Sequence, residues 1–128
     1  MSVPGYRNLK TSTEQGCLVL RIIAQQLRGD ELAESLRSEL VDAVTRAGLG
    51  KVVLDFQNVE FISSAGLRPL IALRRKLQDT GGQLRLAGLA PYVAEVFRTT
   101  RLFSGPFEMQ PDVSAAIANL SGATVKEE

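Results

Sequence analysis

The chain reads as an α/β protein: a single domain in which a mixed, mostly parallel sheet of about five strands packs with about four helices. Three observations point there. Apolar runs of strand length alternate with segments whose apolar residues recur at helical spacing along all 128 residues. One run, "KVVLDF" (51–56), is almost continuously apolar, as expected of a central strand covered on both faces. No internal repeat and no long linker divides the alternation into two domains.

The elements follow in order. After Pro4 and Gly5, "YRNLKTS" (6–12) is a candidate first strand at the sheet edge, and "EQG" (14–16) turns the chain into "CLVLRII" (17–23). A hairpin is the simplest pairing of the two. Asp30 reads as a helix N-cap, with Glu31 and Glu34 near the positive end of the helix dipole. Leu32, Leu36, Leu40, Ala43, Val44 and Ala47 then mark an apolar face, and "GLG" (48–50) stops the helix.

The central strand comes next. Past "QNVEFIS" (57–63), a second helix is expected from Ala65 to Asp79, with Leu67, Leu70, Ile71 and Leu77 inward and Arg68, Arg74, Arg75 and Lys76 outward. "QLRLAG" (83–88) is another strand. A third helix starts near Pro91 and is anchored by Val93, Val96 and Phe97. "RLFSGPFEM" (101–109) includes a last short strand, "PDVSAAIANL" (111–120) a terminal helix, and "SGATVKEE" (121–128) a flexible polar tail. The order is β-β-α-β-α-β-α-β-α, which implies right-handed crossovers and antiparallel pairing only in the first hairpin. The domain is taken as 1–128, with its core at 8–120.

Composition excludes several kinds of function. With 15 basic and 14 acidic residues the net charge is +1, so there is no electrostatic case for nucleic acid or membrane binding. The N-terminus has no apolar signal core and no segment has the length to span a bilayer, so a cytoplasmic protein is expected. Cys17 has no partner for a disulfide, which fits a reducing compartment. With no histidine and one cysteine, neither a metal nor a cofactor is expected, and no dinucleotide or phosphate-loop pattern occurs. The same lack of histidine removes the standard hydrolase triad around any serine; a Ser-Lys dyad is the formal remainder. No catalytic residue is assigned, and the chain is not expected to be an enzyme.

The informative stretch is "FISSAGLRPL" (61–70), where a strand, a loop and a helix meet. In a parallel layered fold, strand ends and the starts of the following helices share one edge of the domain. Ser64 at the helix start would cap a backbone N–H and present its hydroxyl at the positive end of the helix dipole. A phosphate there adds roughly −1.5 to −2 charges beside N–H groups that tolerate an anion. The small Ala65 and Gly66 leave the hydroxyl accessible. Pro69 would deny a hydrogen bond to the Ala65 carbonyl, so the helix is expected to begin later or irregularly.

The run from "VVLDFQNVEFISSAGLRPL" through "GLAPYVAEVFRTTRLFSGPFEM" resembles a STAS domain, the module of bacterial anti-sigma factor antagonists and of sulfate-transporter tails. The likeness covers residues 8–120 and rests on Asp55, Phe56, Val59, Ile62, Ser63, Ser64, Ala65, Gly66 and Leu67. It implies that Ser64 is the phosphoacceptor and that the partner is an anti-sigma factor of the histidine-kinase-like ATPase type. The unphosphorylated form would bind that partner and free a sigma factor, phosphorylation would part the two, and a phosphatase would reset the switch. Asp55, Ser63, Ala65, Gly66, Leu67 and Arg68 are the expected surroundings, with Arg68 suited to steadying a phosphate. Two departures stand out. Ser63 occupies a position that is often Asp, which makes it an alternative acceptor, and Gln25 and Gln26 stand where an acid is usual, with Asp30 the nearest one. Asp55 also has a simpler role open to it, bonding the backbone of the next turn. The alternative function is a scaffold or accessory subunit, in a stressosome-like assembly or beside a transporter.

Overall fold

Side chains alternate across each strand, so a sheet sorts its residues onto two faces, and in this chain each face is covered by different helices. The computed structural model describes residues 6–100 and 109–126. In chain order these form β1 (Leu9–Glu14), β2 (Cys17–Ile22), β3 (Gln26–Leu27), α1 (Asp30–Ala47), β4 (Lys51–Asp55), β5 (Phe61–Ile62), α2 (Ser64–Asp79), β6 (Gln83–Ala87), α3 (Pro91–Thr100), β7 (Met109–Gln110) and α4 (Val113–Lys126). The main sheet runs β1-β2-β4-β6-β7. Only the β1–β2 hairpin is antiparallel; β2–β4, β4–β6 and β6–β7 are parallel. The α/β class, the central place of "KVVLDF" and the opening hairpin are as the sequence predicts.

Leu18, Leu20 and Ile22 of β2, Val52 and Leu54 of β4, and Leu84 and Leu86 of β6 face one layer, built from α1, α2 and α3. Cys17, Val19, Val53 and Ala87 face the other way, onto Ala116, Ile117 and Leu120 of α4. The larger core is closed by Phe56, whose ring meets Phe97 edge-on with centroids 5.7 Å apart. Leu36, Leu40, Leu54, Phe56, Leu70, Leu73 and Phe97 are completely buried. Truncating any of these to alanine is the kind of change that costs about 2–5 kcal/mol. No helix among the described residues is long and apolar enough to cross a membrane.

Several expectations are corrected. Asp30 is the first residue of α1 and not its cap; Gly29 caps, at φ 88°, with no side-chain bond. Ala47 is exposed, whereas Ala33 and Leu73, not foreseen, are buried. Ile71 is only half-buried. The helix containing Pro69 is not delayed: α2 begins at Ser64 and Pro69 lies buried inside it. Its ring sits early enough that only the Ala65 carbonyl loses an N–H. α4 continues to Lys126, through most of the stretch read as a tail. β7 begins at Met109, and the remainder of the expected last strand (101–108) lies outside the described residues. The short parallel pair β3–β5 has no counterpart in the expected order of elements.

The N-terminal segment is strapped to α1. Backbone N–H groups of Arg7 and Asn8 donate to Glu39, and the Tyr6 hydroxyl donates to Asp42 at 2.6 Å, beside Arg46 at 2.8 Å. The hydrogen bonds from Tyr6 and then Arg46 hold the Asp42 carboxyl below its usual range. Burial, reinforced by Asp42, pushes the Tyr6 phenol up to about 12. Between the ordinary tyrosine value of about 10 and that level, the unfolded chain loses a proton that the folded one keeps, so stability falls as pH rises through this window. Phenolate absorbance should show one tyrosine titrating at about pH 12, and Tyr6→Phe should abolish that step. If the step that Tyr6→Phe removes lies instead at the ordinary tyrosine value of about 10, the strap is open in solution.

Candidate partner-binding site

The site is built on one carbonyl. β3 and β5 pair in parallel, Gln26 opposite Phe61 and Leu27 opposite Ile62, which joins the loop before α1 to the loop before α2. The Gln25 carbonyl accepts from Glu60 and Phe61 N–H at 2.7 and 3.2 Å. The Leu27 carbonyl accepts from the Ser63 N–H at 2.9 Å and from the Ser63 hydroxyl at 3.3 Å. Gly66 packs against that same oxygen so closely that a Cβ would stand 2.4 Å from it and 3.0 Å from Ile62 Cγ1. Glycine is required here by space. Its role is to seat the start of α2, not only to keep a neighbouring hydroxyl accessible.

The two serines divide the work that the sequence assigns to one. Ser63, extended at φ −102°, ψ 176°, is the N-cap: its Oγ accepts from the Gly66 N–H at 3.4 Å. A hydroxyl has one donor and two acceptor sites, and Ser63 uses the donor on Leu27 and one acceptor on Gly66. It is half-buried and already occupied. Ser64 is the first helical residue and not the cap; it is exposed, and its side chain makes no hydrogen bond among the described residues. Its hydroxyl stands free at the positive end of the α2 dipole.

Arg68 lies four residues on, on the same face of α2 as Ser64. Its Nη1 donates to Asp30 Oδ1 at 3.2 Å, with the two side chains 65% and 83% exposed. So open a pair contributes little to stability, and the guanidinium is available to another anion. Asp30, on the first turn of α1, is therefore the acid brought to the site. Asp55 is not. It alternates onto the α4 face with Val53, is 1% exposed, and has both oxygens engaged: Oδ2 by Arg21 Nε at 3.0 Å, Oδ1 by the Gln57 N–H at 2.9 Å. It anchors the turn after β4. Leu67 and Gly66 are buried and Ala65 is half-buried, so of the expected surroundings Arg68 presents the most side chain to a partner.

Sequence reasoning missed two contributors. Phe61, just before the serines, stacks on Tyr92 of α3 with centroids 5.9 Å apart and planes 10° apart, and Tyr92 is 52% exposed. An exposed large aromatic is informative where an exposed small residue is not. Asp30 reads in the sequence as a helix cap and as the nearest acid along the chain, and neither reading pairs it with Arg68. No local pattern signals either pairing.

The STAS domain family model matches residues 8–116. Among curated proteins, a Bordetella bronchiseptica protein, BtrV, described as a candidate anti-sigma factor antagonist, is 40% identical over 72 residues; the match spans 56% of this chain and 61% of that relative. Among solved structures, the anti-sigma factor antagonist SpoIIAA in its unphosphorylated form is similar at TM-score 0.72 and 22% identity, covering 89% of this chain and 96% of that one. The Bacillus SpoIIAA in its phosphorylated form gives 0.66 at 20% identity, covering 88% and 98%. A Thermotoga maritima protein described as a candidate anti-sigma factor antagonist gives 0.75 at 17% identity, covering 91% and 97%. At these identities the structures establish a shared fold.

The packing around Leu27 has a measurable consequence. Gly66→Ala forces a Cβ against backbone and should lower unfolding stability by about 1–3 kcal/mol. Ser63→Ala, which removes the cap bond and the hydroxyl's bond to Leu27 while keeping the backbone N–H bond to that oxygen, should cost about 1 kcal/mol. Denaturant unfolding reads both; a Gly66→Ala protein as stable as its parent would mean that the Leu27 carbonyl is not fixed.

Proposed function

The chain belongs to the STAS domain family, and from that premise we propose that it is an anti-sigma factor antagonist switched by phosphorylation at Ser64. Unphosphorylated, it binds an anti-sigma factor that is also a serine kinase, in the cytoplasm, and so releases a sigma factor. The kinase transfers the terminal phosphoryl group of ATP to Ser64 Oγ, the hydroxyl proton leaves, and ADP is released. A phosphatase returns the serine by hydrolysis. In this reading the protein is a binding module and a substrate, and carries no catalysis of its own.

One observation carries the choice of residue: Ser64 is exposed with its hydroxyl unused, while Ser63 is engaged as the cap. A kinase needs a hydroxyl it can reach without unmaking a helix start. Phosphorylating Ser63 would break its bonds to Leu27 and Gly66. Phosphorylating Ser64 would add a dianion where the helix N-terminus favours one, four residues from the Arg68 guanidinium. The fold tolerates the charge. A docked partner does not, because the dianion must be desolvated or must meet the partner's own carboxylates.

Incubation with ATP and the kinase encoded beside this protein, followed by intact-mass measurement, should show a gain of about 80 Da per phosphoryl group. Ser64→Ala should abolish the gain and Ser63→Ala should leave it. Phosphate on Ser63 would move the acceptor to that serine, and none from any co-encoded kinase together with large assemblies on sizing would replace the switch with the scaffold reading. Ser64→Asp should weaken anti-sigma factor binding about tenfold or more. The same substitution should move unfolding stability by less than about 1 kcal/mol, since a carboxylate is welcome in a first helical turn.

A further inference from the structure

Downstream of Ser64, α2 carries a second feature that the serine does not explain. Arg68, Ile71, Ala72, Arg75, Lys76 and Asp79 follow one another at spacings of one or three residues and form a single stripe along the helix, with Ser64 at its N-terminal end. Beside the stripe runs α1, which adds Arg37 and Val41, and the two helices line an open, shallow groove of about 460 Å³. Its floor is apolar and only half-buried, at Val41, Ile71 and Ala72. Its rim is basic. Arg37 and Arg68 are tied to Glu34 and Asp30 by exposed pairs, whereas Arg75 and Lys76 make no ion pair among the described residues. Asp79 is the one carboxylate lining the groove, at its far end.

We propose that this groove receives an amphipathic helix of the partner protein, apolar on the side that meets Val41, Ile71 and Ala72 and acidic on both flanks. The inference deepens the anti-sigma antagonist reading by giving the chemistry of the partner's docking segment, and it rests on that reading only in taking a protein as the occupant. Charge complementarity selects the acidic flanks: of the four cations lining the groove, Arg75 and Lys76 have no acidic partner among the described residues, and Arg37 and Arg68 are held only by exposed pairs. The length suits a helix, because Arg68 to Asp79 rises about 16 Å, or three turns. Such an arrangement is helix-in-groove recognition, in which apolar anchors give affinity and rim charges give selectivity. The groove contains no aromatic side chain on which a nucleic-acid base could stack.

The same geometry couples the groove to the switch. Ser64 lies one helical turn from Arg68, at the mouth of the stripe. A phosphate there places like charge against an acidic occupant and competes for the Arg68 guanidinium.

The experiment uses the full chain, isotopically labelled, and a synthetic amphipathic helical peptide of about 14 residues, with leucines along one face and glutamates on both flanks. A control peptide carries lysine in place of every glutamate. Amide shift perturbations from the glutamate peptide should map to Arg37, Val41 and the stripe from Arg68 to Asp79, and the lysine peptide should not bind. Joint substitution of Arg75→Glu and Lys76→Glu should weaken the glutamate peptide about tenfold, and Lys10→Glu on β1, outside the groove's lining, should leave it unchanged. Equal binding of both peptides, no binding, perturbations mapping elsewhere, tighter binding of a short RNA to the stripe, or self-association that buries it would each overturn the proposal. None of these readouts involves a kinase. A chain that its kinase phosphorylates on Ser64 but whose unphosphorylated form ignores the glutamate peptide keeps its switch and loses the groove; one whose unphosphorylated form binds the peptide but is never phosphorylated keeps the groove and loses the switch.

Discussion

The seating of α2 on the Leu27 carbonyl is the constraint from which the site's geometry follows. That oxygen takes two hydrogen bonds from Ser63 and lies against Gly66, whose missing side chain allows the approach. Buried backbone acceptors must be satisfied, and here one acceptor fixes three things at once. It positions the cap, sets how closely the helix start packs on β3, and turns the next residue outward. Ser64 is exposed because Ser63 and Gly66 are held.

From that seat the electrostatics of the rim are arranged. The first turn of α1 brings Asp30 to the second turn of α2, where Arg68 meets it on the surface. An exposed pair of this kind is weak in water and screened by salt, so it holds a guanidinium near the serine without committing it. The helix dipole adds a modest preference for negative charge at the same place. Both effects are small beside the charge of a phosphate, so a phosphate placed on Ser64 would change what the rim attracts while leaving the core untouched. The apolar core lies beneath, in the layer of Leu36, Leu40, Leu54 and Leu70.

The opposite face of the sheet has a separate economy. Asp55 is buried there between Arg21 and the turn to Gln57, and Gly88 approaches its carboxylate with no side chain to interfere. A buried carboxylate with one partner removed is costly, so this arrangement secures the end of β4 and, through it, the loop that leads to β5 and the serines. Asp55 thus acts on the site through the backbone. The fold is shared by proteins of differing roles, and function is carried by the rim that each presents.

Local pattern sufficed for much of this. The apolar spacing of α1, the continuous run of β4 and the turn at Gln15 and Gly16 depend on residues within a few positions of each other, and the sequence therefore determined the α/β order, the central strand and a serine-bearing helix start. It could not determine which serine capped, because that choice depends on Leu27, 36 residues away. Nor could it pair Arg68 with Asp30 across 38 residues, or foresee β3–β5, whose two-residue strands carry no periodicity. β4 is apolar on both faces, so alternation alone did not say on which side the helix carrying the serines would pack; only the tertiary structure put Asp55 on the face away from Ser64. Short-range spacing fixes elements, whereas the meeting of distant segments depends on how whole layers pack.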